Sequence, residues 1–160
     1  MIESATFRKV LGNYPTGVCA ITATAAGGSP LALVVGTFCS VSLDPPLVGF
    51  FPDRKSSTWP IIAATGRFCV NVLASDQAEL CRQMAMPGPD KFASVAHAQS
   101  PLGNPKIENA LAWIDCTLHD VLEAGDHYVV LGHVESLEIG HEGDPLLFFR
   151  GRYGGFRELM

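Results

Sequence analysis

The strand-forming segments of this chain follow one another with few helical segments between them. β-Branched and aromatic residues are concentrated in RFCVNVLA at 67–74 and in two longer stretches, LAWIDCTLHDVL at 111–122 and HYVVLGHVESLEI at 127–139. The turn-like sequence EAGD separates the two longer stretches, which is typical of a hairpin. A parallel, doubly wound sheet would need a helix after nearly every strand. The sequence therefore predicts a mainly β fold, an antiparallel barrel with peripheral helices.

The remaining segments complete this prediction with shorter elements. Further strands are expected at 18–25, 31–42 and 46–51, and a last strand with a glycine-rich tail within 145–156. Helices are expected at 4–14, capped by Ser4 or Thr6, near Thr58, and at 75–85, capped by Ser75 or Asp76. The first helix carries apolar residues at helical spacing, and we expect core positions for Phe7, Phe68, Phe148 and Phe149.

Composition limits the kind of protein. The 160 residues are enough for one domain, expected to span 1–160. The 11 basic and 16 acidic residues give a net charge of −5, which disfavours a nucleic-acid or anionic-membrane surface. No apolar run reaches membrane-spanning length. The five cysteines include no Cys-x-x-Cys pair, which favours buried free thiols and a cytoplasmic protein. The histidines lack metal-ligand spacing, so no metal site is expected.

The segment RKSSTWP at 54–60 predicts an anion site. Pro60 favours a helix that begins near Thr58, because proline is accepted in a first helical turn. Lys55, Ser56, Ser57 and Thr58 would then lie where backbone N–H groups are free and hydroxyls and an ammonium group add donors. An ordinary helix cap beside a solvated lysine is the alternative interpretation.

The segment GTFCSVSLDPP at 36–46 has the composition of a polar groove. It combines a small residue at Gly36 with hydroxyls at Thr37, Ser40 and Ser42, and its strand would end at the double proline. A flat heterocycle needs such a rim of polar groups together with apolar walls. Four aromatic residues are available as walls, namely Phe38, Phe50, Phe51 and Trp59. A strand with hydroxyls on its wet face is the simpler alternative.

His127 is the histidine with the most suggestive position. It follows Gly125 and Asp126 directly and begins a predicted strand, where a side chain projects over the mouth of a barrel. An ordinary surface histidine would look the same. The chain contains none of the common phosphate-binding or nucleophile motifs and no obvious pair of catalytic carboxylates. Either the protein only binds a ligand, or a cofactor carries out the chemistry.

Taken together, the motifs resemble the flavin reductase-like domain family, in particular the short-chain NAD(P)H:flavin reductases of two-component monooxygenases. The resemblance covers about residues 6–156 and rests on YPTGVCAITA, GTFCSVSLDPPLVGFF, KSSTW, GRFCVNVLASDQ, DKFASV, GDH and PLLFFRGRYGGF, in the family's order and spacing. It implies a split β-barrel, a homodimer, bound FMN or possibly FAD, and NADH or NADPH as substrate. Reduced flavin would pass to a separate oxygenase that acts on an aromatic or phenolic compound.

The resemblance also implies roles for individual residues. It implies that the flavin ring and ribityl chain are edged by Val35, Gly36, Thr37, Ser40, Val41 and Ser42, and that the phosphate is held by Lys55, Ser56, Ser57 and Thr58. His127 would meet the nicotinamide, and Phe92 and Tyr153 would lie near the flavin. Many relatives carry hydroxyl residues where this chain has Val34 and Gly36, a departure that bears on flavin affinity. A flavin-binding protein without turnover and a flavoenzyme acting directly on another substrate are the alternatives.

Overall fold

The computed structural model describes residues 1–160 as a curved antiparallel sheet with short helices around it. The helices are α1 (Ser4–Leu11), α2 (Trp59–Thr65) and α3 (Ala78–Ala85), and a 3-10 turn at Ser75–Gln77 precedes α3. The strands in chain order are β1 (Thr16–Gly17), β2 (Cys19–Thr24), β3 (Pro30–Val35), β4 (Cys39–Leu43), β5 (Pro46–Phe50), β6 (Arg67–Val72), β7 (His97–Gln99), β8 (Pro105–Ile107), β9 (Ala112–Ala124), β10 (His127–Ile139), β11 (Leu147–Phe149) and β12 (Arg152–Gly154). No helix has the length and apolar character needed to cross a bilayer.

Seven strands form the main sheet in the order β3-β2-β6-β9-β10-β5-β4, and all neighbours are antiparallel. The two edge strands, β3 and β4, are consecutive in the chain, and only residues 36–38 separate them. A sheet whose two edges are joined by so short a link has to curl back on itself, because strands 4.7–4.9 Å apart would otherwise place the edges far from each other. The sheet is therefore a barrel that is split between β3 and β4, which confirms the predicted fold class.

The strand expected at 31–42 is wrong as a single element. It is two strands, β3 and β4, which pair with β2 and β5 at opposite edges of the sheet. The chain bends at Gly36, and the Phe51 amide donates a hydrogen bond of 2.9 Å to the Thr37 hydroxyl. The expected single strand at the C-terminal end is likewise a hairpin, β11–β12, which pairs with β1 in a separate sheet.

The core consists of two clusters on either side of the sheet. The interior of the barrel is filled around Phe50, whose ring meets those of Trp59 and Phe68 edge-on at centroid distances of 5.6 and 5.2 Å. The second cluster lies under α3 and includes the fully buried Leu73 and Met84. The aromatic packing inside the barrel fixes the curvature that brings the two edges together.

Three of the four phenylalanines expected in the core are exposed, so only the prediction for Phe68 is confirmed. Phe7 is 55% exposed, and Phe148 and Phe149 are each 41% exposed. Helix α1 has no buried residue at all, although its apolar residues have helical spacing. Periodicity reveals that a helix has an apolar face but not what covers it, and within this chain no element packs over that face.

The predicted caps are also wrong. Helix α1 begins at Ser4 with Glu3 in the N-cap position, and neither Ser4 nor Thr6 caps it. At the start of the 3-10 turn, Ala74 occupies the N-cap position, and neither Ser75 nor Asp76 caps it. The Gln77 side chain instead accepts a 3.0 Å hydrogen bond from the Ala74 amide, which is the half of a capping box that satisfies the N–H of the N-cap residue itself.

Candidate active site

The loop from Asp53 to Thr58 forms a tight turn before α2. The Asp53 carboxylate accepts a 2.7 Å hydrogen bond from the Lys55 amide, and the Asp53 carbonyl accepts one of 3.0 Å from the Ser56 amide. The Ser56 hydroxyl in turn accepts a 3.1 Å bond from the Trp59 amide, and Thr58 occupies the N-cap position as the sequence predicts. These bonds hold the loop in shape from within.

The same bonds reduce the number of backbone N–H groups that the predicted anion site can offer to a ligand. The amides of Lys55 and Ser56 are engaged inside the loop and are not available to a ligand. The amides of Ser57 and Thr58 make no hydrogen bond within the chain, and the Ser57 side chain is exposed. The donors left for an anion are therefore these two amides, the hydroxyls of Ser56, Ser57 and Thr58, and the Lys55 ammonium group.

Lys91 adds a second cation that sequence analysis did not assign to the site. Its ammonium group donates hydrogen bonds to the Ala32 carbonyl at 2.7 Å and to the Thr58 hydroxyl at 3.3 Å. Partial burial lowers its pKa, and no carboxylate is paired with it. The motif DKF at 90–92 was noted only for its phenylalanine, and the contact with Thr58 across 33 residues has no local sequence signal.

A cleft of about 310 Å³ lies between this loop and α3. Its polar side is formed by residues 55–58 together with Lys91, and its apolar side by Leu33, Val34, Met84 and neighbouring residues. Two ammonium groups beside unbonded amides make the polar side electropositive, which suits a phosphate. Leu33 and Val34 belong to edge strand β3, so the cleft lies beside one edge of the split barrel.

The residues predicted to edge the flavin ring lie on both sides of the split. Val35 ends β3, Gly36 and Thr37 form the link, and Ser40, Val41 and Ser42 belong to β4, where the pairing with β5 shifts between Ser40 and Ser42. Val35 is buried, whereas Gly36, Thr37, Ser40 and Val41 are exposed. The predicted rim residues therefore come from both edge strands and from the link between them.

Two of the proposed aromatic walls are wrong. Phe50 and Trp59 are 0% and 3% exposed and pack inside the barrel, so neither is accessible to a ligand at the rim. Phe38 is partly buried against the same core cluster. Phe51 is 39% exposed and remains the aromatic side chain that is accessible near the link.

His127 lies next to the anion loop, as a result of pairing that sequence could not show. It begins β10, as predicted, and forms an isolated β-bridge with Asp53, two residues before Lys55. Its Nδ1 is 2.7 Å from the Asp126 carboxylate, and this hydrogen bond lowers the pKa of Asp126. With Nδ1 held in this way, Nε2 is the ring nitrogen left for a ligand.

Phe92 and Tyr153 lie on the α3 side of the molecule. Phe92 is adjacent to Lys91, is partly buried, and meets the His97 ring at a centroid distance of 5.0 Å. The Tyr153 hydroxyl and the Cys81 thiol share a 3.4 Å hydrogen bond, which contributes most to raising the pKa of Tyr153 to about 12. Arg82 also stacks over the Tyr153 ring, so this tyrosine is held by α3.

The structure combines an antiparallel barrel that is split between two edge strands with a basic cleft whose size and charge suit a small phosphorylated molecule. Comparisons with known proteins define the class further. Residues 11–157 match the family model described as flavin reductase like domain, and the chain therefore belongs to that family. It is a flavin oxidoreductase with the split-barrel fold of its relatives.

Individual relatives agree with this membership. The chain is 52% identical to a flavin reductase of Pseudomonas putida over 158 residues, which cover 99% of this chain and 93% of the relative. It is 46% identical to the flavin-dependent monooxygenase reductase subunit HsaB of Rhodococcus jostii, over 96% of this chain and 78% of that protein. A solved structure, the NADH:FAD oxidoreductase SgcE6 of Streptomyces globisporus in complex with NAD and FAD fragments, superposes with a TM-score of 0.91 at 31% identity, covering 97% of this chain and 93% of that one.

Proposed function

We propose that this protein transfers a hydride from NADH, or NADPH, to FMN and releases the reduced flavin to a separate monooxygenase. The observation that carries the proposal is the cleft between residues 55–58 and α3, which is lined by Lys55, by Lys91 and by Ser57 and Thr58 with their unbonded amides. FAD is a possible alternative flavin, as in the oxidoreductase SgcE6. The similarity to HsaB, a reductase subunit of a flavin-dependent monooxygenase, supports an oxygenase partner, for which we propose an aromatic or phenolic substrate.

The proposed roles follow from position along the split. Lys55, Ser57, Thr58 and Lys91 bind the phosphate, and Ser56 holds the loop in shape through its bond to the Trp59 amide. The isoalloxazine ring and ribityl chain lie along the rim, whose residues are Val35, Gly36, Thr37, Ser40, Val41 and Ser42. Phe92 follows Lys91 in the chain and Tyr153 contacts Cys81 of α3, and we propose that both lie near the bound flavin.

The chemistry belongs to the two cofactors, and the chain positions them. The flavin, when bound, supplies the ring that accepts a hydride from the nicotinamide. Alignment of two reactants in one site is worth several kcal/mol, about 7–11 in the best cases, so no acid or base of the protein is required. We assign the nicotinamide carboxamide to Nε2 of His127, while Asp126 fixes the orientation of the imidazole ring.

A steady-state assay tests the proposal and separates it from the two alternatives. We expect NADH oxidation that saturates with added FMN, together with rapid bleaching of the flavin band when NADH is mixed with the FMN complex. A protein that binds FMN but does not bleach it faster than free FMN would be a flavin-binding protein only. Turnover that requires a third substrate while FMN stays bound would indicate a flavoenzyme that acts directly.

The role of His127 has its own test. His127→Ala is expected to raise the KM for NADH about tenfold, because one hydrogen bond to the substrate is lost, and to leave FMN affinity within twofold. His141→Ala serves as a matched control, since His141 lies just beyond the C-terminal end of β10, at the opposite end of that 13-residue strand from His127. Unchanged KM for NADH in His127→Ala would exclude the assignment.

We also propose that the protein is a homodimer. Its solvent-accessible surface is 9816 Å², whereas a monomeric protein of 17.1 kDa is expected to expose about 7,800 Å². An excess of about 2,000 Å² per chain is of the size that stable dimers bury. The exposed apolar residues of α1 and of the β11–β12 hairpin, defined above, are the surface that a second copy would cover.

The chain is proposed to form a single domain over residues 1–160, because the strands of the main sheet are distributed along the chain from residue 19 to residue 139.

We further propose that it works in the cytoplasm. All five cysteines are unpaired, and Cys19, Cys69, Cys81 and Cys116 are buried. Free thiols persist in a reducing compartment, which supports this location.

A further inference from the structure

The Thr16 side chain lies against Gly36, the residue that follows the end of edge strand β3. A Cβ atom built on Gly36 would lie only 2.9 Å from the Thr16 hydroxyl oxygen and 3.7 Å from the Thr16 Cβ. Gly36 does not have a positive φ, so its backbone would accept any L-residue. The Thr16 hydroxyl is therefore what excludes a side chain at position 36, and the glycine gives that hydroxyl its place beside the rim.

The Thr16 hydroxyl has no partner within the chain. The hydroxyls of Thr22, Thr24 and Thr37 each make a hydrogen bond of 3.3 Å or less, whereas that of Thr16 makes none. The Thr16 backbone is fixed, because β1 pairs with β11 through the Thr16–Phe148 register. A half-buried hydroxyl held in this way has both its proton and its lone pairs free for a ligand.

The position along β3 shows which part of a ligand this hydroxyl would meet. Val34 lines the cleft next to the phosphate loop, and Gly36 is two residues further along the chain. Two residues of extended strand span about 7 Å. A ligand whose phosphate lies at residues 55–58 would therefore present its uncharged portion, and not its phosphate, near Thr16.

We propose that Thr16 is a flavin-binding residue, whose hydroxyl hydrogen-bonds a polar atom of the ribityl chain or of the ring edge. This inference rests on the proposed function, since it assumes that flavin occupies the split. A contact from Thr16 to the flavin is expected to affect ligand affinity differently from the contacts to the phosphate. Loss of the Thr16 hydroxyl should weaken FMN and riboflavin equally, because riboflavin lacks only the phosphate.

The first test compares two substitutions of nearly equal size. Thr16→Val removes the hydroxyl and keeps the shape, whereas Thr16→Ser keeps the hydroxyl. Titration followed by flavin fluorescence should show FMN and riboflavin binding about 3- to 10-fold more weakly to Thr16→Val, as expected for one neutral hydrogen bond. Thr16→Ser should stay within about twofold of the original protein. Thermal unfolding of both variants shows whether either has lost its fold.

The second test moves the hydroxyl to the neighbouring position. Gly36→Ser alone should weaken flavin binding, because its Cβ meets the Thr16 oxygen at 2.9 Å. In the double variant Thr16→Ala with Gly36→Ser that oxygen is gone, the remaining contact is an ordinary 3.7 Å, and a hydroxyl is again present. We expect the double variant to bind flavin more tightly than Gly36→Ser and at least as tightly as Thr16→Ala.

The outcomes distinguish this inference from the proposed function. If the original protein binds neither FMN nor riboflavin, both are wrong. If it binds flavin and Thr16→Val binds equally well, only the role of Thr16 is wrong. A double variant that binds no better than Gly36→Ser would also overturn the inference, and a loss confined to FMN would place Thr16 at the phosphate and overturn it as stated.

Discussion

Replacement of Lys91 by methionine should weaken binding of FMN but not of riboflavin. Methionine keeps most of the aliphatic stem and removes the ammonium group, which lies 3.3 Å from the Thr58 hydroxyl and 2.7 Å from the Ala32 carbonyl. If the flavin phosphate occupies the cleft beside Thr58, this charge is close enough to bond to it. Riboflavin has no phosphate and therefore nothing for the ammonium group to contact.

The size of the effect follows from the surroundings of Lys91. Two unit charges about 4 Å apart attract by about 4 kcal/mol at an effective dielectric constant of about 20. Lys91 is only partly buried, so solvent screening reduces this value, and charge-assisted hydrogen bonds typically contribute about 1.5–3 kcal/mol. A loss of about 2 kcal/mol corresponds to an FMN dissociation constant about 30-fold higher.

Fluorescence titrations with FMN and riboflavin measure this difference directly. Lys106→Met is the matched control, because it removes the same charge from a lysine that pairs with Glu138 outside the cleft. It should change neither affinity by more than about twofold. Equal weakening of FMN and riboflavin in Lys91→Met, or no weakening of either, would refute a phosphate site at this cleft.

Three further predictions concern packing, the thiols and assembly. Gly132→Ala should lower the free energy of unfolding by about 1–3 kcal/mol in chemical denaturation, because its Cβ would lie 2.5 Å from the Phe68 ring; an unchanged midpoint would contradict the packing. Iodoacetamide at pH 8 should label only Cys39, because the other four thiols are buried. Burial raises the pKa of thiols such as Cys116 from 9.0 to about 12, so the folded state favours the neutral thiol. The free energy of unfolding should therefore fall as the pH rises from about 9 towards 12. Leu11→Asp should convert a dimer into a 17.1 kDa monomer in light scattering, and a monomeric original protein would refute the proposed interface.

Much of the barrel could be predicted because its signals are local. The strand at 67–74 and the long hairpin β9–β10 appear where alternating apolar residues and a four-residue turn place them. The stretch at 31–42 was predicted as one strand because its residues favour β-structure throughout. Its division at Gly36 depends on pairing with β2 on one side and β5 on the other, which is not recorded in the segment itself.

The candidate site was predictable only where it is contiguous in sequence. The segment at 55–58 has hydroxyls and an ammonium group that can be seen side by side, and the proline marks the helix that follows. Lys91 and Thr16 lie far along the chain from the residues that they contact. Their contacts with Thr58 and Gly36 arise from folding, and a single sequence contains no signal for them.

The class of fold, the order of the strands along the chain and the chemical character of the anion loop follow from local sequence, since alternation, turn residues and hydroxyl clusters act over a few positions. Three features became visible with the folded chain, namely the pair of strand edges at the split, the contact of Lys91 with the anion loop, and the uncovered apolar face of α1. These features depend on pairing and packing between residues far apart in sequence, and local preferences do not specify such contacts.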